Sequence, residues 1–68
     1  MESVHNTVQE SRIRADITQE ELAHKVGVSR QTVIAIEKGN YTPSVLLAIK
    51  LAKVFKTSVE SLFILKKY

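Results

Sequence analysis

The 68-residue chain has no cysteine, no tryptophan, one proline and two glycines. Without cysteine, no disulfide can staple the fold and no thiolate can hold a metal. So little proline and glycine favours helices joined by short turns. No run of about 18 apolar residues is present, so the sequence offers no membrane-spanning helix. The opening MESVHNTVQES has neither a basic n-region nor an apolar h-region and is not read as a signal peptide. The expectation is a cytoplasmic protein. His5 and His24 have no cysteine or paired carboxylate to complete a ligand set, so no metal is expected. No glycine-rich phosphate loop or nucleophile elbow points to a cofactor or to catalysis, and the chain is not expected to be an enzyme. With no second domain, no small-molecule ligand is expected either.

Sixty-eight residues make one domain, read here as spanning 1–68. A core this small leaves about 3–5 kcal/mol of net stability, and without disulfides or metals the remaining supports are tight packing and self-association. The net charge is +3 and unevenly spread. Residues 1–36 carry four Arg or Lys against five acids, whereas residues 37–68 carry six lysines against two glutamates. A basic balance suits a polyanionic partner, although solvated helix faces are often lysine-rich too.

Val4, Val8, Ser11, Arg12 and Ala15 fall at helical spacing, which predicts a first helix over about 4–14 with a thin apolar stripe. Thr18 with Glu21 three residues on forms a capping box at the start of a second helix, which stops at Gly27. Ser29 caps a third helix that turns Val33 and Ile36 inward and ends near Lys38, with Gly39 as left-handed terminator. Pro43 biases Thr42 away from helix, so 40–43 is a loop. Ser44 caps a broadly apolar fourth helix through Phe55, with Lys50 and Lys53 toward water, and Ser58 opens a short fifth helix to about Phe63. The tail 64–68 is apolar and β-compatible.

The informative stretch is QEELAHKVGVSRQTVIAIEK, residues 19–38. Ala23 stands where two crossing helices approach closely, and Gly27 where the chain turns through positive φ. Leu22, Val26, Val28, Val33 and Ile36 supply the buried side. A helix pair joined by so short a turn leaves the second helix projecting, able to enter a groove about 12 Å wide. The same residues could merely pack a helical hairpin in a small bundle. Against that, Ser29, Arg30, Gln31 and Thr32 gather polar groups on the first turn of the projecting helix. Arginine can donate two hydrogen bonds to guanine O6 and N7, and glutamine can bond adenine N6 and N7 in the same way. Ile34 shares a face with Arg30; it either meets a thymine methyl or flanks the core.

These residues resemble the phage Cro/repressor-type helix-turn-helix family, also called the XRE family. The likeness runs through Ile17–Ala23, VSRQTV at 28–33, IEKGNYTPS at 36–44 and LAIKLAKVF at 47–55, so it covers nearly the whole chain. The resemblance implies an all-α, five-helix, lambda-repressor-like DNA-binding domain that binds double-stranded DNA as a homodimer on an inverted-repeat operator. Short relatives often pair the two chain ends as a small sheet, which here would use Val4 and the 64–68 tail. By position, Arg30, Gln31 and Ala35 are expected toward the bases, with Thr32 toward base or phosphate. Gln19, Ser29, Lys38, Asn40 and Tyr41 are expected against phosphates, where helix N-termini and basic or amide side chains suit phosphate oxygens. Two departures stand out. Ser11 occupies a place usually held by leucine, and Lys56 one usually held by a helix-ending glycine, which demands another cap or a left-handed lysine.

For 68 residues, repression by simple occlusion of a promoter is the expected mechanism, an inference from size. The rival from another class is an antitoxin-like module whose task is to mask a partner protein, using the apolar C-terminal stretch. That stretch is read instead as part core and part self-association surface, with Val59, Leu62, Phe63 and Leu65 at the dimer interface.

Overall fold

A hydroxyl residue precedes each of the five helices, and in four of them its side chain caps the first turn. The computed structural model describes residues 2–67. In chain order it contains β1 (Glu2–Asn6), α1 (Val8–Arg14), α2 (Gln19–Val26), α3 (Arg30–Glu37), α4 (Val45–Val54), α5 (Val59–Leu62) and β2 (Phe63–Lys67). Thr18, Ser29, Ser44 and Ser58 are N-caps, and each side chain accepts from a backbone N–H three residues on. At Thr18 the box is complete: Glu21 N–H donates to Thr18 Oγ1 at 3.0 Å, and Thr18 N–H to Glu21 Oε1 at 2.8 Å. Each cap satisfies a first-turn N–H that has no partner within the helix.

The helices close around a core of Val8, Leu22, Ala23, Val26, Val33, Ile36, Leu47, Leu51, Ala52 and Leu62. Every helix contributes to it, so no pair could bury its apolar side alone. Phe55, Val59 and Phe63 pack against its edge.

The first helix is shorter than its periodicity suggests. It begins at Val8, and residues 2–6 form a strand antiparallel to β2, with Val4 opposite Leu65 and Asn6 opposite Phe63. The helical spacing of Val4 is overridden by the ladder that the C-terminal strand offers. This is the sheet the resemblance implied, formed over 63–67; Tyr68 lies outside the described residues. Asn6 makes the turn from strand to helix. Its Oδ1 accepts from Val8 N–H at 3.1 Å, and its Nδ2 donates to the Ile36 carbonyl at 2.9 Å. The strand pair is thereby tied to the end of α3.

Lys56 adopts φ 54°, the left-handed conformation that the missing glycine requires, and Thr57 N–H closes the end of α4 on the Ala52 carbonyl. Asp16, at φ 58°, does the same between α1 and α2, with Ile17 N–H donating to the Arg12 carbonyl. Aspartate tolerates this region better than most side chains; lysine has no such local compensation.

Candidate nucleic-acid interface

Three residues, Gly27, Val28 and Ser29, separate α2 from α3. Gly27 takes φ 75°, and Val28 N–H donates to the Ala23 carbonyl at 3.0 Å, which ends α2 and reverses the chain. A β-carbon at Gly27 would meet nothing within 4 Å, so the requirement for glycine is conformational, not spatial. Ala23, Val26, Val33 and Ile36 are all buried at the crossing of the two helices. With that side of α3 turned inward, Arg30 and Gln31 stand exposed on its first turn.

A part-buried polar network fixes α3 against α1 and α2. Arg12 Nε donates to Glu37 Oε2 at 2.7 Å and an Nη donates to Oε1 at 3.3 Å; the other Nη reaches the Ile17 carbonyl at 3.0 Å. Gln19 Nε2 donates to the same Glu37 Oε1 at 3.0 Å. The side chains of Arg12 and Glu37 are 13% and 3% exposed, so this pair is largely shielded from water. Nothing in the sequence pattern announced it. The partners are 25 and 18 residues apart, and the only available signal was a glutamate at the end of an otherwise inward-facing helix side.

The residues expected at DNA fall into three groups. Arg30, Gln31, Lys38, Asn40 and Tyr41 are exposed. Ser29 and Thr32 are committed to the fold as well: Thr32 N–H donates to Ser29 Oγ at 3.2 Å and the two hydroxyls bond each other at 3.1 Å. Gln19 and Ala35 are half-buried; one donor of the Gln19 amide is held by Glu37 and the other stays available. Lys38 closes α3, and Asn40 N–H turns back to the Ala35 carbonyl at 2.9 Å, so the loop bearing Tyr41 starts from a fixed point. Ile34 is half-buried yet lies outside the group packed against the core, at the margin of the exposed turn.

The two adjacent acids at the start of α2 have different situations. The Glu21 carboxyl is held below its ordinary value by the hydrogen bonds from Thr18, backbone first and then side chain, with help from Lys25. Glu20 has no such bond and borders an open cleft with Thr18, Gln19 and Arg30. Among the described residues no group of three or more His, Asp or Glu side chains is arranged to hold a metal, and no helix is long and apolar enough to cross a membrane.

The residues expected at a dimer interface are divided by the fold. Leu62 is 1% exposed and lies in the chain's own core, which removes it from any surface a partner could touch. Leu65 is 61% exposed, while Val59 and Phe63 are half-buried and line an apolar groove with Val4, Pro43, Val45 and Ala48. Sequence reasoning missed Val45, the most exposed large apolar residue described at 77%, and Ile49 at 42%. Both sit on α4, whose apolar residues run around more than its buried side.

A helix-turn-helix family model matches residues 8–62. An uncharacterized HTH-type transcriptional regulator of Methanocaldococcus jannaschii is 54% identical over 59 residues, covering 87% of this chain and 89% of the relative. The uncharacterized HTH-type transcriptional regulator YgzD of Bacillus subtilis is 52% identical over 62 residues, covering 91% and 94%. The cryptic phage CTXphi transcriptional repressor RstR of Vibrio cholerae is 34% identical over 55 residues, or 81% of this chain and 50% of RstR. Among solved structures, the restriction-modification controller protein C.AhdI from Aeromonas hydrophila superposes with a TM-score of 0.73 at 28% identity, covering 79% of this chain and 82% of its own. With the α2–turn–α3 geometry and the relatives in agreement, the chain belongs to the XRE-type helix-turn-helix family and is a transcriptional regulator of that type, related to repressors.

Proposed function

We propose that the protein is a sequence-specific repressor that binds an inverted-repeat operator as a homodimer, with α3 in the major groove. The observation that carries this reading is the exposed first turn of α3. Arg30 and Gln31 project there from a helix whose opposite side is buried and whose position is fixed by the Arg12–Glu37–Gln19 network. Their forked donors and acceptors match guanine and adenine edges, and Ala35 on the same helix offers only a methyl contact. The free amide donor of Gln19, the Ser29 turn, Lys38, Asn40 and Tyr41 surround this head and serve as phosphate contacts that set its register. Repression is the reading supported by RstR, a repressor by name. A regulator of this kind works in the cytoplasm, on DNA, without catalysis or cofactor.

The dimer surface we assign is the face carrying Val4, Val45, Ile49, Val59, Phe63 and Leu65, with Leu62 beneath it as core. Exposed aliphatics this concentrated on a 68-residue domain suit a second copy of the chain. Two-fold pairing would place the recognition helices about 34 Å apart, one turn of DNA. The partner-masking reading is set aside because the relatives above are regulators and controllers by name.

Binding measured on the duplex that the protein selects from random sequences tests the assignment. Arg30→Ala and Gln31→Ala should each lose about 1–3 kcal/mol there and relax base choice, whereas Lys38→Ala should weaken all sequences alike and flatten the salt dependence. Equal binding of every sequence by the parent and both reading-head variants refutes it. In sedimentation, Leu65→Asp should give a folded monomer; an unchanged mass removes the dimer surface from the account.

A further inference from the structure

Resting on the assignment of Arg30 to the bases, we propose that Glu20 is a specificity-determining positioning residue, whose carboxylate restrains the Arg30 guanidinium for guanine. Glu20 and Arg30 come from different helices and border the same open cleft of about 510 Å³, together with Arg12, Thr18 and Gln19. The other groups there are already engaged. Glu21, the neighbouring acid, is consumed by the capping box with Thr18. Arg12, the other cation of the cleft, has Nε and both terminal nitrogens committed to Glu37 and the Ile17 carbonyl. Among the described residues, Glu20 and Arg30 form no ion pair. They are the one acid and the one cation of this cleft left to each other.

The position of Glu20 calls for such a role. A carboxylate beside a helix start that receives phosphates repels the polyanion it helps to bind. The helix dipole already has the Glu21 carboxylate in the same first turn. An exposed arginine samples many rotamers and can swing to a phosphate instead of a base. A carboxylate that accepts from one edge of the guanidinium as the complex forms leaves the other edge free to donate to guanine O6 and N7. Glu20 would then lower affinity for DNA in general while raising the preference for guanine.

The test uses the full chain and its selected duplex, the same duplex carrying adenine in place of the guanine at which Arg30→Ala loses its preference, and a shuffled duplex. Glu20→Gln keeps the size of the side chain and removes its charge. It should bind the shuffled duplex as tightly as the parent or several-fold tighter, yet lose about tenfold in guanine-over-adenine preference, a partial loss of the discrimination one bidentate arginine supplies. In an Arg30→Ala background Glu20→Gln should change that preference no further. An unaltered melting temperature separates this effect from loss of fold. The proposal is overturned if Glu20→Gln strengthens all duplexes by one common factor, or if its effect on preference persists without Arg30. If Arg30→Ala itself leaves base preference intact at every position, the base-reading assignment falls, and this inference with it. A flat Glu20→Gln beside an effective Arg30→Ala removes the inference alone.

Discussion

Replacing Arg12 with alanine should leave little folded protein at 25 °C. The guanidinium spends its donors on three acceptors, at 2.7 and 3.3 Å on Glu37 and 3.0 Å on the Ile17 carbonyl. Without it, Glu37 keeps a charge on a side chain 3% exposed, with the Gln19 amide as its remaining side-chain donor. Breaking a buried ion pair from one side costs about 3–5 kcal/mol, because the surviving charge stays desolvated. A domain of this size rarely has more than about 3–5 kcal/mol in total, so the loss is comparable with the whole. Urea unfolding followed by far-ultraviolet circular dichroism reads it directly, as a collapse of the midpoint. The double variant Arg12→Met with Glu37→Leu removes both charges and should recover most of the stability, since a buried pair and an apolar pair of similar volume often come out nearly even. A loss below about 1 kcal/mol in Arg12→Ala, the scale of an exposed pair, would refute the reasoning. So would a double variant no more stable than the single one.

Lys56→Gly should stabilise the domain by about 1 kcal/mol, because glycine takes the left-handed conformation without the side-chain clash. Thermal melting should register this as a rise of about 4–8 °C, and no rise would mean that Lys56 is held there without strain. Glu21 has a carboxyl held low in the folded state, so its contribution is complete above its ordinary value of 4.5 and disappears as pH falls through the folded value. Glu21→Gln should therefore melt below the parent at neutral pH and approach it as the solution is acidified below 4.5; a gap that stays constant with pH contradicts the charged-cap account.

Most local signals were legible in this chain and distant ones were not. The caps at Thr18, Ser29, Ser44 and Ser58 and the reversal at Gly27 each depend on residues within a few positions, and all stand where the sequence puts them. Helical spacing alone puts Val4 in the first helix, because spacing is a local pattern, whereas its strand partner Leu65 lies at the other end of the chain; the sheet came from the resemblance. Leu62 was assigned to a surface for a related reason. An apolar C-terminal stretch does not say which of its members meets the core, and only the packing of Val8, Leu51 and Leu62 together decides it. The left-handed turn at Asp16 was available to inspection, since aspartate is among the few side chains enriched there. Within the candidate interface, Arg30 and Gln31 stand exposed on the turn where the motif puts them. What the motif did not contain was their support, the bonds that tie Arg12 and Gln19 to Glu37 across three helices.

The central claim is that this regulator reads base sequence through α3 as a two-fold pair. Selection from a library of random duplexes by the full chain tests it most directly, with the enriched pool sequenced. The account predicts an inverted repeat whose half-sites lie about one helical turn, 10 base pairs, apart, with a guanine in each half that is no longer required when Arg30→Ala is selected in parallel. A pool no different from the starting library, or the same repeat recovered without Arg30 and Gln31, would contradict it.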